Sequence, residues 1–503
     1  MRDTHFRRLL LVGLTLAVGV TASPAAANAA SCAPGAPGLG DRLFPLLGNG
    51  GYDVQDYELR LTYPEKDPAH SVSGDVRIAA VATQKLSRFN LDFAGGNPAS
   101  IDVDGKPANF SRVGEELVIT PRVALNKGRG FTVTVKGFTA VPETPDPAAP
   151  DGFTATPDGT ALLGQPAAAH RLFPSNDHPA DKATYTITTD VPEGWTGTAS
   201  GVPTVTRTGG GRVVSTYRQA QPMATELLQV AAGDFVVRER QQVGRVRVRD
   251  VVPRRLAAQT LPMFDSEREQ IAWMEQQVGP YPFDTYGSLL IDVQLGTALE
   301  TQTLSVYDST VLAAPTPVVE SVMAHELAHQ WYGNSVAPAT WSDVWLNESH
   351  ATWYELLWAE KIGAVAEHTG SPSREAFFQR VYANSDSWRA QFGPVARPKS
   401  AEQLFDLFNI NVYYGGALAL YALEQQLGEP KFQQLERAWA SAYRGKSAST
   451  DDFIALASRT AGRDLKPFLT AWLYGTETPP MPGHPDWVTM QNPAPMTGQH
   501  LSR

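Results

Sequence analysis

From Tyr52 onward, apolar positions alternate with polar ones. Tyr57, Leu59, Leu61 and Tyr63 share one face of a first run, and Val76, Ile78, Ala80 and Ala82 share one face of the next. A period of two puts every second side chain on the same side of an extended chain, so these runs predict strands with one buried face. The alternation returns at Phe131, Val133 and Val135, at Tyr185 and Ile187, and near Val246 and Val248, with Gly, Pro, Asn and Asp between the runs. About 200 residues of mostly antiparallel β-sheet are expected. After Pro253 the period changes. Leu256 to Val278 carries apolar residues at helical spacing and stops at Gly279-Pro280. Gly287 to Val293 reads as one further strand, and most long segments from Val318 onward, such as Trp353 to Ile362 and Ala417 to Leu427, read as helices. The pattern predicts an α+β multidomain chain: an N-terminal antiparallel β-sheet domain over residues 40–250, then a helix-rich domain over 251–476. Pro479, Pro480, Pro482, Pro485, Pro493 and Pro495 mark 477–503 as a proline-rich tail lying extended on the surface.

The first 30 residues belong to neither domain. Arg2, Arg7 and Arg8 precede an apolar run from Leu9 to Val20, followed by Ala25, Ala27 and Ala29. That order is expected of a cleavable signal peptide over 1–30, with secretion as the outcome; the pair Arg7-Arg8 leaves general and twin-arginine export both open. The run is shorter than the ~20 residues of a membrane span, and no other segment is apolar enough, so no transmembrane span is expected. The net charge of -10 and the lack of any basic stripe exclude a nucleic-acid partner. Cys32 is the single cysteine, so no internal disulfide can form.

The chemistry sits in His325-Glu326-Leu327-Ala328-His329, within a stretch from Val318 to Trp331 free of proline and glycine. Four residues apart on a helix, the two imidazoles project from one face and can grip one ion, for which zinc is the expectation. A tetrahedral site then lacks one protein ligand and one water. Glu348, 19 residues on and at the start of a second helical run, is the candidate third ligand. Glu326 lies about 100° round the helix from His325, where it can take a proton from water and return it to a leaving amine. Asp343 is a candidate to orient a ligating imidazole, and His350 a polar pocket wall.

These residues resemble the aminopeptidase N family of zinc metallopeptidases, which includes leukotriene epoxide hydrolases. The family's HExxH, eighteen residues, Glu pattern is met by His325, Glu326, His329 and Glu348 within Trp345-Leu346-Asn347-Glu348. Its Gly-Ala-Met-Glu-Asn motif corresponds to Thr297-Ala298-Leu299-Glu300-Thr301, with Ala298 and Glu300 identical, and its Tyr-x-Lys-Gly-Ala segment to Tyr413-Tyr414-Gly415-Gly416-Ala417. Gly164-Gln165-Pro166, Phe173-Pro174-Ser175-Asn176-Asp177 and Gly48-Asn49-Gly50-Gly51-Tyr52 add to the likeness. The resemblance implies a thermolysin-like catalytic domain holding one zinc ion. It implies Tyr413 as donor to the oxyanion, Glu300 as the group binding the substrate's free α-amine, and Gln165 and Ala298 as further substrate contacts. The strand from Gly287 would pair with the substrate backbone. Peptides with a free N-terminus are the implied partners, with the chain acting as a monomer. Only 90 residues follow Tyr413, so the helical-repeat domain of many relatives is expected to be missing. Epoxide hydrolysis on the same scaffold and a non-catalytic, zinc-stabilised binding protein are the alternatives.

Overall fold

The computed structural model describes residues 32–490. The signal peptide expected over 1–30 and the tail beyond residue 490 lie outside the described residues. The alternating runs form β1 (Tyr52–Thr62), β2 (Val72–Ala82), β3 (Gly130–Ala140), β4 (Lys182–Pro192) and β5 (Arg212–Ala224). They lie in the order β5-β4-β1-β2-β3 within an eight-stranded sheet. All these pairs are antiparallel except β4 with β1, which run parallel. A long excursion of chain between Thr62 and Lys182 makes that return possible. The inward residues Tyr57, Leu59, Leu61, Val76, Ile78, Phe131 and Ile187 build one core with two smaller four-stranded sheets.

Beside this core lies a buried polar cluster. His170 Nδ1 is 2.6 Å from Asp177 Oδ2, and its Nε2 is 3.4 Å from Glu115. Burial pulls the imidazole's pKa down, but the bonds to Asp177 and Glu115 outweigh it and raise it to about 10. A raised folded-state pKa contributes stability that is complete below the unfolded value near 6.5 and lost as pH rises through about 10. The melting temperature is therefore expected to fall across that window. In His170→Gln the same scan should be flatter; an unchanged slope would remove His170 as its source.

The second domain begins earlier than the periodicity indicates. Strands β6 (Phe235–Val243) and β7 (Val246–Pro253) belong to a five-stranded sheet with β8 (Thr285–Ile291), β9 (Ala298–Leu299) and β10 (Ser305–Asp308), in the order β6-β7-β8-β10-β9. Because β7 hydrogen-bonds to β8, the boundary falls near residue 234 rather than 251. Alternation reveals a strand but not the sheet it joins. The expected helix over Leu256 to Val278 is also broken: Pro262 interrupts it, and only α1 (Glu267–Gln277) is a regular length of helix.

The rest is helical: α2 (Thr316–His329), α3 (Trp345–Lys361), α4 (Arg374–Phe392), α5 (Gly416–Leu427), α6 (Glu429–Ala442), α7 (Thr450–Ala461) and α8 (Lys466–Tyr474). Trp341, Trp345, Trp358, Trp439 and Trp472 are fully buried among them. The segment after α8 has no regular structure, as its prolines dictate, yet it does not simply lie on the surface. Met481 and Trp487 are buried, Trp487 stacks on Tyr421 at 6.0 Å and 7°, and Met490 donates its N–H to Ala383 O at 2.9 Å. Proline prevents a helix there but not packing.

Candidate active site

Helix α2 is buried on almost every side, so its two histidines cannot turn to water. Their rings lie 4.8 Å apart, on the face that meets α3. The chain reverses between these helices at Gly333, whose φ of +125° few other residues adopt; a Cβ there would also lie 3.2 Å from His329 Nδ1. The reversal brings Glu348 back onto α2. Its Oε2 is 3.4 Å from His325 Nε2 and 3.3 Å from His329 Nε2. One ligand atom from each of these buried residues lies within 4.8 Å of the others.

The donor set fits a divalent cation. His325 Nδ1 is 2.8 Å from Glu355 Oε2 and His329 Nδ1 is 3.1 Å from Tyr332 O, so both rings are held by one nitrogen and offer Nε2 to the centre. The electrostatics ask for positive charge at that point. Burial pulls the His329 pKa down, yet Glu300 and Glu348 raise it to about 9. Glu348 is lowered to about 2, against burial, by the two imidazoles. Two nitrogens and one carboxylate oxygen are the ligands zinc takes in open catalytic sites.

Around this centre the structure gathers the other expected residues. Glu326 is buried, and burial raises its pKa to about 8; His325 and His329 oppose the rise, while Glu300 and Glu348 add to it. A carboxyl poised near neutrality can take a proton and give it back. Tyr413 and Tyr414 sit in a π-helical turn, Asn411–Gly415, that leads into α5. This turn can approach α3 because Gly416 lies against Ser349, where a Cβ would be 1.8 Å from the hydroxyl oxygen. Tyr413 stacks on the His325 ring at 6.0 Å and reaches towards Glu348, whereas Tyr414 packs on Phe377. Burial and then the Glu348 charge push the Tyr413 pKa well up, so it stays a proton donor. Tyr413→Phe is expected to lower kcat by about 10²- to 10³-fold, the loss seen for one oxyanion donor, with little change in KM. An equal loss in Tyr414→Phe, with Tyr413→Phe active, would reverse the assignment.

Glu300 follows β9, the edge strand of the five-stranded sheet, and is only 3% exposed. Its Oε1 accepts a 2.6 Å bond from Gln165 Nε2 and lies 3.9 Å from His329 Nδ1. Its main-chain carbonyl accepts from Gln330 and Asn334 side chains. The segment Asn334-Ser335 is braced in turn by Lys182 of the first domain, whose Nζ donates to both carbonyls at 2.7 and 2.9 Å. Ala298, in β9, lines the same cavity of about 540 Å³ as Gln165, Glu300, Glu326 and Tyr413. Strand β8, expected to receive a substrate backbone, is flanked by β7 and β10; of the two edge strands, β6 and β9, it is β9 that lines the cavity.

Two expectations fail. His350 is wholly buried, stacked on Tyr332 at 4.6 Å with Nδ1 bonded to Leu346 O, and does not line the cavity. Asp343 touches no ligating imidazole; its carboxylate accepts from Thr450 and Thr340 and so caps helix starts. The role given to Asp343 is filled by Glu355, which bridges His325 and, at 2.8 Å, His368 Nε2. Glu355 lies seven residues after Glu348, two turns along the same face of α3, and that spacing was its only signal in the sequence. Glu355→Gln is expected to weaken metal affinity about 10- to 100-fold, measured by competition with a chelator. Asp308 was unsignalled: it accepts from the N–H groups of Leu295 and Thr297 with one oxygen and of Thr310 and Val311 with the other, fixing two cleft segments together.

Comparison with known proteins gives this geometry relatives. The profile "Peptidase family M1 domain" matches residues 263–472. Aminopeptidase M1-A of Oryza sativa subsp. japonica is 28% identical over 323 residues, 61% of this chain and 36% of that protein. Aminopeptidase M1 of Arabidopsis thaliana is 26% identical over 331 residues, with the same coverages. The chain thus spans about a third of the length of these relatives. A solved M1 zinc metallopeptidase from Deinococcus radiodurans superposes with a TM-score of 0.76 at 30% identity, covering 88% of this chain and 99% of that one. A mutant of it bound to the substrate Tyr-Ser-Ala gives 0.77, at 30% identity, over 89% and 100%. Two imidazoles and a carboxylate meeting across α2 and α3, on a framework shared almost end to end with a solved relative, place this chain in the M1 family of zinc metallopeptidases.

Proposed function

We propose that the chain is an exported zinc aminopeptidase that hydrolyses the first peptide bond of peptides with a free N-terminus. The reading rests on Glu300, a buried carboxylate held by Gln165 at one end of the cavity and 3.9 Å from His329. An ammonium seated there sets one residue's length to the reactive centre, and a blocked terminus leaves the buried carboxylate with its Gln165 bond but without a cation to answer its charge. The structural relatives support it, since the M1 enzymes solved with Tyr-Ser-Ala, L-arginine and L-tryptophan hold ligands that begin with a free amine. Export rests on the N-terminal sequence alone.

Zinc, when held by His325, His329 and Glu348, supplies Lewis acidity to a carbonyl and to water. The chain's own groups do the rest. Glu326 takes the proton of the attacking water and passes it to the departing amine. Tyr413 donates its hydroxyl to the oxygen that becomes negative, and the buried walls strengthen that bond by excluding solvent. Glu300 and Gln165 fix the amine, and the open edge of β9 offers main-chain groups to an extended substrate. The test compares free and N-acetylated aminoacyl reporters, with and without a chelator. Cleavage of the free reporter alone, abolished by chelation, is expected. Equal cleavage of both would remove Glu300 from its role.

A further inference from the structure

The cavity that holds this site is strongly biased in charge. Among the described residues lining it are the carboxylates Glu300, Glu326, Glu348 and Glu355, and no lysine or arginine. Arg380 is close enough to act on Tyr414, but its Nη1 is engaged with the carbonyls of Thr369 and Gly370 and with Ser371.

The elements also fix the direction in which a substrate runs. Glu300 lies near the C-terminal end of α2, where Gln330 holds its carbonyl. Passing the ligand cluster towards the start of α2 leads to Val322, about one turn before His325, then to Pro315, Ala314 and Ala313, all lining the cavity. A chain laid antiparallel to β9 from Glu300 passes Ala298 and then Thr297, so it runs the same way. The residues beyond the cleaved bond therefore meet an apolar wall. Among the described residues of that wall there is no lysine or arginine to meet them. A divalent ion with Glu348 carries one residual positive charge, which Glu326 offsets; Glu300 answers the substrate's ammonium, and Glu355 is bonded by His325 and His368. A carboxylate brought to this wall would lose water without gaining a partner, among like charges.

Building on the aminopeptidase reading, we propose that this site selects peptides with an apolar second residue and rejects a carboxylate at that position, whether an acidic side chain or the free C-terminus of a dipeptide. The test measures kcat/KM of the zinc-loaded enzyme for Leu-Leu-amide, Leu-Glu-amide and the free acid Leu-Leu at neutral pH. Calorimetric binding of the same peptides to the zinc-loaded Tyr413→Phe protein, which keeps every charge of the site, gives a readout with turnover slowed about 10²- to 10³-fold. Leu-Leu-amide is expected to be favoured at least tenfold over both others in each arm, about 1.4 kcal/mol. In Ala313→Arg, which puts a cation at the rim of that wall, the ratio should fall towards one. Equal rates or equal affinities for amide and acid overturn the proposal, as does an Ala313→Arg ratio unmoved from the parent's. A leucyl reporter separates the two readings: if it is cleaved while acid and amide are equal, only the charge selection fails. If it is not cleaved, the aminopeptidase reading fails and the calorimetric arm decides on selection alone.

Discussion

Glu326→Gln is expected to lower kcat by about 10²- to 10⁴-fold, the contribution of a positioned general acid and base, while zinc stoichiometry and the melting temperature stay at the parent values. The reason is positional. Glu326 follows a ligand by one residue on a rigid, buried helix, so its side chain is fixed beside the centre without belonging to the ligand set formed by His325, His329 and Glu348. Glutamine keeps the shape and can still accept a bond from water, but it cannot take the proton. Atomic absorption alongside steady-state kinetics separates loss of base from loss of metal. A variant that holds zinc and works within tenfold of the parent would show that another group moves the proton.

The second large effect is expected from Glu348→Ala. The carboxylate reaches both Nε2 atoms at 3.3 and 3.4 Å, and it is the one negative ligand. Its removal leaves two neutral imidazoles and should weaken zinc binding by more than the roughly 10- to 100-fold typical of groups one bond further out. The loss can be read thermally. Zinc at 100 times its Kd stabilises the parent by about 2.7 kcal/mol, which for a domain of this size corresponds to a rise in Tm of roughly 5 to 10 °C. The variant at the same zinc concentration should show almost none of that rise. A rise equal to the parent's would mean that the cation is held elsewhere.

The sequence made part of this site legible and hid part of it, for physical reasons. A helix repeats its faces over short distances, so His325, Glu326 and His329 could be assigned from spacing alone, and Glu348 from the length of the reversal. Tyr413 could be separated from Tyr414 only by resemblance; periodicity does not say which of two adjacent tyrosines a π-helical turn throws forward. Glu355 and Asp308 act through contacts that cross elements, with His325 on another helix and with two loops, and such contacts leave no periodic trace. Asp343 and His350 show the converse error. Each was the right residue type close in sequence to the ligands, yet one caps helices and the other packs on Tyr332. The fold follows the same division: the inward residues of the strands were readable, while the partners of β6 and β7, the parallel pairing of β4 with β1 and the break at Pro262 depended on tertiary structure.

The residues after α8 have one more consequence. Thr478 donates its N–H to Asp386 of α4, Tyr382 of α4 donates its hydroxyl to Pro479 O, and Trp487 closes over Tyr421 of α5. During synthesis this segment leaves the ribosome after all the helices it braces. The β-rich half can fold while translation continues, whereas the packing of α4 and α5 is completed only once this later segment has emerged, so these helices reach their final arrangement some time after they have themselves left the ribosome.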